Sequence, residues 1–240
     1  MNANLFKNKI TETEGGILEV DDLPSGHYDS QAVKYDKLIS NGLYNRLMWG
    51  NSPKDYTNFC RQSINECDAG IIADIGCGTL SFTSKVYEEI HKRDLFLCDL
   101  SYEMLKIGKN RIKLANPELS KISFLRSDAL NMPFVSKVIQ TILSFGFLHV
   151  IDNPSNLISE FNRILMPEGK LYLTSLCTDR TFSAKYLNFL YKKGHVAKPM
   201  NSNEIERIIK DNGFRILGKN IKGGMVYLTA IKKTPTHHIY

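Results

Sequence analysis

No run in this 240-residue chain approaches the roughly 18 consecutive apolar positions that a membrane-spanning helix requires. The first residues also lack the charged, apolar and small-residue succession of a secretion signal. Cysteine is scarce and odd in number: Cys60, Cys67, Cys77, Cys98 and Cys177 show no Cys-x-x-Cys spacing. That fits a reducing, cytoplasmic setting better than a disulfide framework and argues against a zinc site, so no metal ligand is predicted. There is a single tryptophan, no internal repeat and no low-complexity tract. Acids are outnumbered, giving a net charge of +6 and a pI of about 8.9. The lysines are scattered, which reads as a solvated basic surface; the same balance leaves RNA or an anionic lipid open as a partner.

What is present suffices for a core. At 42% hydrophobic content the chain reads as one domain. Residues 1–24 are polar with an acidic tilt (Glu12, Glu14, Glu19, Asp21, Asp22) and predict a loose arm. Residues 25–68 carry Tyr28, Tyr35, Tyr44, Trp49, Tyr56 and Phe59 and predict a helical cap, with Pro53 in the first turn of a helix reaching Glu66. The core follows over 69–240, with an insertion at 178–200. Strands are predicted over 71–75, 94–99, 121–126, 138–144 and 169–176, and helices over 80–91, 101–115 and 154–165. Asn153 and Pro154 punctuate the start of the last helix and Pro167 its end; a further helix over 202–212 stops at Asn212-Gly213. Apolar runs at 214–218 and 225–231, split by Gly223-Gly224, predict a hairpin. This order predicts an α/β fold with a mostly parallel sheet and an antiparallel edge.

The most informative segment is Ile71-Ile-Ala-Asp-Ile-Gly-Cys-Gly-Thr-Leu80. An apolar strand ends at Asp74, turns through Gly76 and Gly78 and enters a helix. Such a corner binds nucleotides and nucleosides, because glycine lets the backbone turn tightly and a ligand approach closely. Asp99 closes the second strand, Leu95-Phe-Leu-Cys-Asp99, about 20 residues on, where a carboxylate can accept from ribose hydroxyls. Asp128 closes the third, where an acid beside backbone N–H groups can read the exocyclic amine of adenine. Asp74 could hold a cationic amine. Each acid could instead cap the helix that follows it.

At these residues the chain resembles the class I S-adenosylmethionine-dependent methyltransferases. The matching segments are Ala73 to Thr79, Cys98 to Leu105, Ser127-Asp-Ala-Leu-Asn-Met-Pro-Phe134, Thr141 to His149 and Arg163 to Leu171. The resemblance spans about residues 28–231. It implies a Rossmann-like, doubly wound seven-stranded sheet with a C-terminal hairpin and an N-terminal lid. It also implies S-adenosylmethionine as cofactor and S-adenosylhomocysteine as product. Asp74 and the Gly76–Gly78 turn with Cys77 would hold the methionine moiety, Asp99 the ribose and Asp128 the adenine, with Leu100 and Met104 packing on its ring. Ala129, Ser144 and Tyr35 complete the implied cofactor set. Leu80 departs from the pattern, standing where a third glycine is usual, and so does Gln140, standing where an aspartate is common.

Gln31-Ala-Val-Lys-Tyr-Asp36, with Leu38 through Trp49, resembles the N-terminal segment of the ubiquinone and menaquinone biosynthesis methyltransferases, which folds over the cofactor and helps enclose the substrate. Phe182, Tyr186, Phe189 and Tyr191 fall about one helical turn apart and could wall an apolar pocket or dock on the sheet. His149, after the fourth strand, is the candidate general base, and a buried histidine satisfied by a backbone group is the competing reading. There is no Asn/Asp-Pro-Pro-aromatic tetrad for amino methylation of bases and no Pro-Cys nucleophile for cytosine C5, so a small, partly apolar acceptor is expected ahead of nucleic acid. C-methylation of a quinone-type ring is the alternative acceptor chemistry. A non-catalytic cofactor-binding protein and an NAD-dependent oxidoreductase are the competing classes, the latter opposed by Ser81 and the terminal hairpin.

Overall fold

The computed structural model describes residues 5–21, 23, 32–90, 93–115 and 121–234, apart from the side chains of residues 34, 35 and 113–115. Nine strands form one sheet: β1 (Ile10–Glu12), β2 (Leu18–Val20), β3 (Ile72–Ile75), β4 (Leu95–Asp99), β5 (Ile122–Arg126), β6 (Ile139–Phe145), β7 (Leu165–Leu176), β8 (Phe214–Lys222) and β9 (Met225–Lys232). Their order in space is β1-β2-β5-β4-β3-β6-β7-β9-β8. Strands β5, β4, β3, β6 and β7 run parallel, and β9 and β8 close that side antiparallel. Among the described residues the helices are α1 (Ala32–Ile39), α2 (Gly42–Tyr44), α3 (Pro53–Asn65), α4 (Ser84–Tyr87), α5 (Tyr102–Ala115), α6 (Pro154–Ile164), α7 (Thr181–Lys192) and α8 (Ser202–Asp211). A π-helical turn, Asn45–Trp49, prolongs α2.

Alternation along the central strands divides the core in two, because successive side chains leave opposite faces of a sheet. Ala73 and Ile75, Phe96 and Cys98, and Leu171 and Leu173 pack under α6 and α8 with Leu157, Phe161, Ile205 and Ile209. Ile72, Leu95, Leu97, Leu143 and Tyr172 pack on the other face with Leu105 and Ile112 of α5 and Cys60 of α3. Helix α6 begins as expected, with Asn153 Oδ1 accepting from Asn156 N, and ends at Ile164 ahead of Pro167. All five cysteines are unpaired. No helix among the described residues is long and apolar enough to cross a membrane.

Three expectations are corrected. The N-terminal arm is not loose over its described part: β1 and β2 form a hairpin, and β2 extends the sheet by pairing parallel to β5, so nine strands replace seven. Ile17 is buried, and Phe6 stacks on Phe134 with ring centroids 5.3 Å apart. These strands of three residues each are too short to leave a readable period. The helix expected over 80–91 shrinks to Ser84–Tyr87, because Leu80 takes φ +59°, a left-handed conformation that no helix can continue through. Strand β7 starts at Leu165, earlier than expected, its pairing with β6 shifting register between Ile139 and Thr141.

Candidate active site

The parallel strands deliver β3, β4 and β6 to one sheet edge, the place where open α/β sheets bind ligands. Gly76 and Gly78 turn the chain there at φ +73° and +57°. The amides of Gly76 and Cys77 both donate to Cys98 O, at 2.9 and 3.0 Å, which locks the turn onto the end of β4. A Cβ at Gly76 would come within 2.3 Å of the Phe147 ring, so glycine is required here by a packed side chain of the chain itself. A Cβ at Gly78 would meet only Met104 Sδ, at 3.8 Å.

Asp99 is fixed from both sides. Gly78 N donates to Oδ2 and Ser101 N to Oδ1, each at 2.9 Å. The carboxylate thereby ties the glycine turn to the start of α5 and lines the cavity. Asp74 is 2% exposed; Tyr87 Oη donates to its Oδ2 at 2.8 Å, while Oδ1 has no partner. Burial, with the Asp99 charge nearby, pushes its carboxyl up to about 7 against the pull of the Tyr87 hydroxyl. A buried carboxylate oxygen left unpaired beside a cavity suits a cation that arrives with a ligand.

That cavity measures about 600 Å³. One wall is the polar turn, with Asp74, Gly76, Cys77, Gly78, Asp99 and Met104. Another part of the lining, the aromatic wall, is apolar, with Trp49, Tyr56, Phe82, Phe145, Tyr186 and Phe189. Trp49 is held by its carbonyl, which accepts from Gly224 N at 2.7 Å, and by Tyr186, whose ring lies 5.3 Å away. A Cβ on Gly223 would strike Trp49 O, so the β8–β9 turn needs glycine there to seat the cap. Tyr44 and Tyr186 share a hydroxyl hydrogen bond of 3.2 Å, and Ser183 Oγ donates to Met48 O.

The predicted residues divide accordingly. Asp74, Gly76, Cys77, Gly78, Asp99, Met104 and His149 come together on the cavity. Leu100 and Asp128 stand along the same edge outside it: Leu100 O accepts from Arg126 Nε, and Asp128 Oδ1 accepts from Leu130 N in its own turn. Ala129 packs in the core, and Ser144 is fully buried, donating to Ile75 O at 3.0 Å. The Ser144 side chain serves the sheet, while Ala129 packs in the turn that follows β5. Tyr35 lies on α1 with its side chain outside the described residues, and Tyr28 lies outside them entirely. Of the α7 aromatics, Tyr186 and Phe189 reach the cavity, while Phe182 and Tyr191 are exposed. Leu80 does not start a helix, and it is part of the cavity lining. It is buried against Gly108 of α5, where an added Cβ would lie 3.0 Å from Leu80 Cγ.

His149 is neutral in this setting, burial having driven its ring down to about 4. Leu176 N donates to its Nδ1 at 3.5 Å, which leaves Nε2 to carry the ring proton. The ring so held presents an Nε2–H donor.

Sequence reading missed a polar latch. The Arg111 guanidinium on α5 grips Asp36 of α1 with both oxygens, at 3.0 and 2.5 Å, and also donates to Thr79 O. Ser81 Oγ and Thr79 Oγ1 donate to Asp36 Oδ1. Burial alone would raise the Asp36 carboxyl, but the bonds from Arg111, Ser81 and Thr79 outweigh it and hold it below the usual range. Helix α1 is thereby fastened across the glycine turn. The Lys-Tyr-Asp triplet was visible in the sequence, but its partner 75 residues away was not.

Residues 73–173 match the family model described as a methyltransferase domain. A chloroplastic methyltransferase of Arabidopsis thaliana is 26% identical over 212 residues, covering 81% of this chain and 58% of that protein. The ubiquinone/menaquinone biosynthesis C-methyltransferase of Shewanella oneidensis is 30% identical over 156 residues, covering 62% and 57%. The chain thus spans little more than half the length of these relatives. Among solved structures, a geranyl diphosphate C-methyltransferase from Streptomyces coelicolor A3(2), in complex with Mg2+, geranyl diphosphate and S-adenosyl-L-homocysteine, superposes with a TM-score of 0.64 at 14% identity, covering 88% of this chain and 100% of that one. Fold and family model agree: residues 73–173 match a methyltransferase domain, carried on a sheet whose fold resembles that of the Streptomyces coelicolor enzyme.

Proposed function

We propose that the chain binds S-adenosylmethionine on the polar wall of the cavity and transfers its methyl group to a small, partly apolar acceptor held by the aromatic wall. The observation that carries this reading is Asp74 Oδ1, buried and unpaired in the same cavity that Trp49, Tyr56 and Phe82 line. Asp74 would hold the cofactor's amine and Asp99, already oriented by two backbone amides, its ribose hydroxyls. Leu100 and Asp128 lie where the adenine would follow, with Met104 against its ring. When bound, the cofactor supplies a methyl group already activated on sulfur. The protein's part is then alignment and exclusion of water, which can lower a barrier by several kcal/mol, about 7–11 in the best-oriented cases. Trp49, Tyr56 and Phe82 give the acceptor a flat apolar seat, and the His149 N–H orients an acceptor oxygen. C-methylation of a quinone-type ring is the second reading, favoured by the Shewanella oneidensis relative and by an aromatic wall that suits a ring.

The test is thermal unfolding with S-adenosylhomocysteine and with NAD, followed by labelled-methyl transfer to a panel of phenolic and quinol acceptors. A ligand at a hundredfold excess over its Kd stabilises by about 2.7 kcal/mol, which is several degrees in a chain of this size. S-adenosylhomocysteine is expected to produce that shift and NAD none; stabilisation by NAD alone overturns the reading.

A further inference from the structure

The cap and α7 leave an apolar face in solvent around the mouth of the cavity. Leu43 and Leu47 are 66% and 55% exposed, and Phe182 and Phe189 are each 52% exposed. Leu38, also exposed, and Phe189 line the cavity as well, so the face and the pocket are continuous. The two segments are packed into one body by the Tyr44–Tyr186, Trp49–Tyr186 and Ser183–Met48 contacts. Exposed apolar surface gathered in one place marks an interaction site.

Charge says what kind. Residues 180–203 contain Arg180, Lys185, Lys192, Lys193 and Lys198 and no acid. Residues 32–51 contain a single acid, Asp36, which is engaged by Arg111, alongside Lys34, Lys37 and Arg46. On α7 the exposed residues Phe182, Lys185, Phe189 and Lys192 fall at helical spacing on one stripe, opposite the buried Ser183 and Leu187. Lys193, exposed, lies over the Phe189 ring at 5.9 Å, while Arg180 sits over Phe182 at 5.7 Å with its Nη1 buried. Aromatic rings flanked by long cationic side chains suit a lipid interface, where rings enter the acyl boundary and cations meet headgroup phosphates.

We infer that this face docks on an anionic lipid bilayer, seating the cavity mouth at the membrane surface. The inference goes beyond the proposed transfer reaction and stands or falls independently of it, since it concerns the surface and not the chemistry inside. Its consequence is that an apolar acceptor would enter from the bilayer through a mouth rimmed by Leu38 and Phe189.

The experiment is flotation of the full chain with vesicles of phosphatidylcholine alone and of phosphatidylcholine with roughly a third phosphatidylglycerol, at low and high salt. The protein is expected to float with the anionic vesicles at low salt and to remain behind with the neutral ones. Lys185→Glu/Lys192→Glu and Leu47→Asp/Phe182→Asp alter exposed residues outside the cavity, and each pair should cut vesicle partitioning at least about tenfold. Lys106→Glu/Lys121→Glu, an equal charge change elsewhere on the surface, should leave it nearly unchanged; a cooperative thermal unfolding transition without ligand, at the wild-type midpoint within a few degrees, reports that each variant is folded. Equal loss in both lysine pairs overturns the inference in favour of general charge attraction. Failure of the wild-type chain to float overturns it too, whether the face instead binds a single-stranded RNA or pairs with a second copy in sedimentation.

Discussion

The two walls of the cavity are opposite in construction. The polar wall is made of backbone: a glycine turn clamped to Cys98 O and a carboxylate, Asp99, clamped by two amides, all within one strand spacing of each other. The aromatic wall is made of side chains from Trp49, Tyr56, Phe82 and α7, brought together by tertiary packing over more than a hundred residues of sequence. The first wall derives its geometry from local conformation and the second from burial. Damage to the polar wall should therefore appear as lost affinity, and damage to the aromatic wall as lost stability before anything else.

The largest effect expected from breaking that division is at Trp49. Its ring is 5% exposed and packs on Tyr186, with Tyr44 edge-on at 6.4 Å. Trp49→Ala should cost about 3–5 kcal/mol of unfolding free energy, a fall in Tm of roughly ten degrees, as for other large-to-small core changes. Calorimetry below the transition should still find S-adenosylhomocysteine binding close to wild type. A variant with unchanged Tm and weakened cofactor binding would place the indole in the polar wall's work.

Asp99 tests the other side. Asp99→Ala should weaken cofactor binding by about ten- to a hundredfold, the worth of roughly 1.5–3 kcal/mol of charge-assisted hydrogen bonds. Because Gly78 N and Ser101 N lose their acceptor as well, a smaller stability loss of about 1–2 kcal/mol accompanies it. Stability loss with unaltered affinity would reduce Asp99 to a loop clamp.

Asp74 should impose a pH dependence on cofactor binding. Its carboxyl is raised by burial to about 7, and a cationic amine prefers the ionised form. Affinity should therefore rise by about tenfold from pH 6 to pH 8 and flatten above. The same raised value makes the ligand-free protein lose stability as pH climbs from about 4 towards 7, since ionising a buried carboxyl opposes folding. Asp74→Asn should bind weakly at every pH and abolish both slopes in titrations run in parallel; a slope that persists would assign it to another group.

The same division explains what could be read in advance. The turn, the acids Asp74 and Asp99, the parallel strands and the hairpin were legible because each is announced by a short period or a glycine at a fixed offset. Leu80 misled, because its left-handed conformation is enforced by the space above Gly108, a contact 28 residues away that no local pattern records. His149 lines the cavity, but the contact of its Nδ1 with Leu176 N at the end of β7 leaves no local trace in the sequence. Ser144 is turned inward by the pleat of β6, where its hydroxyl bonds Ile75 O. The β1–β2 hairpin escaped because it acquires order only by pairing with β5.

The smallest expected effect lies where the two walls meet, at the latch. Helix α1 belongs to the cap, yet Asp36 fastens it to the polar wall through Arg111, Thr79 and Ser81, whereas the cap from Tyr44 onward is held by packing. Both latch side chains keep some contact with water, 31% for Arg111 and 14% for Asp36, so the pair is worth only about 1 kcal/mol. Asp36→Asn should therefore leave Tm within a few degrees while raising protease sensitivity over α1 several-fold in the ligand-free protein, with residues 42–65 still protected. Bound S-adenosylhomocysteine should restore protection if α1 closes over the cofactor. The carboxyl is held below its ordinary range, so wild-type protection should persist at neutral pH and fail only as the pH falls below about 4. Cleavage of α1 and of residues 42–65 at equal rates in Asp36→Asn would mean that the cap opens as one piece, and the boundary between the two walls would then run through α3 instead of through Asp36.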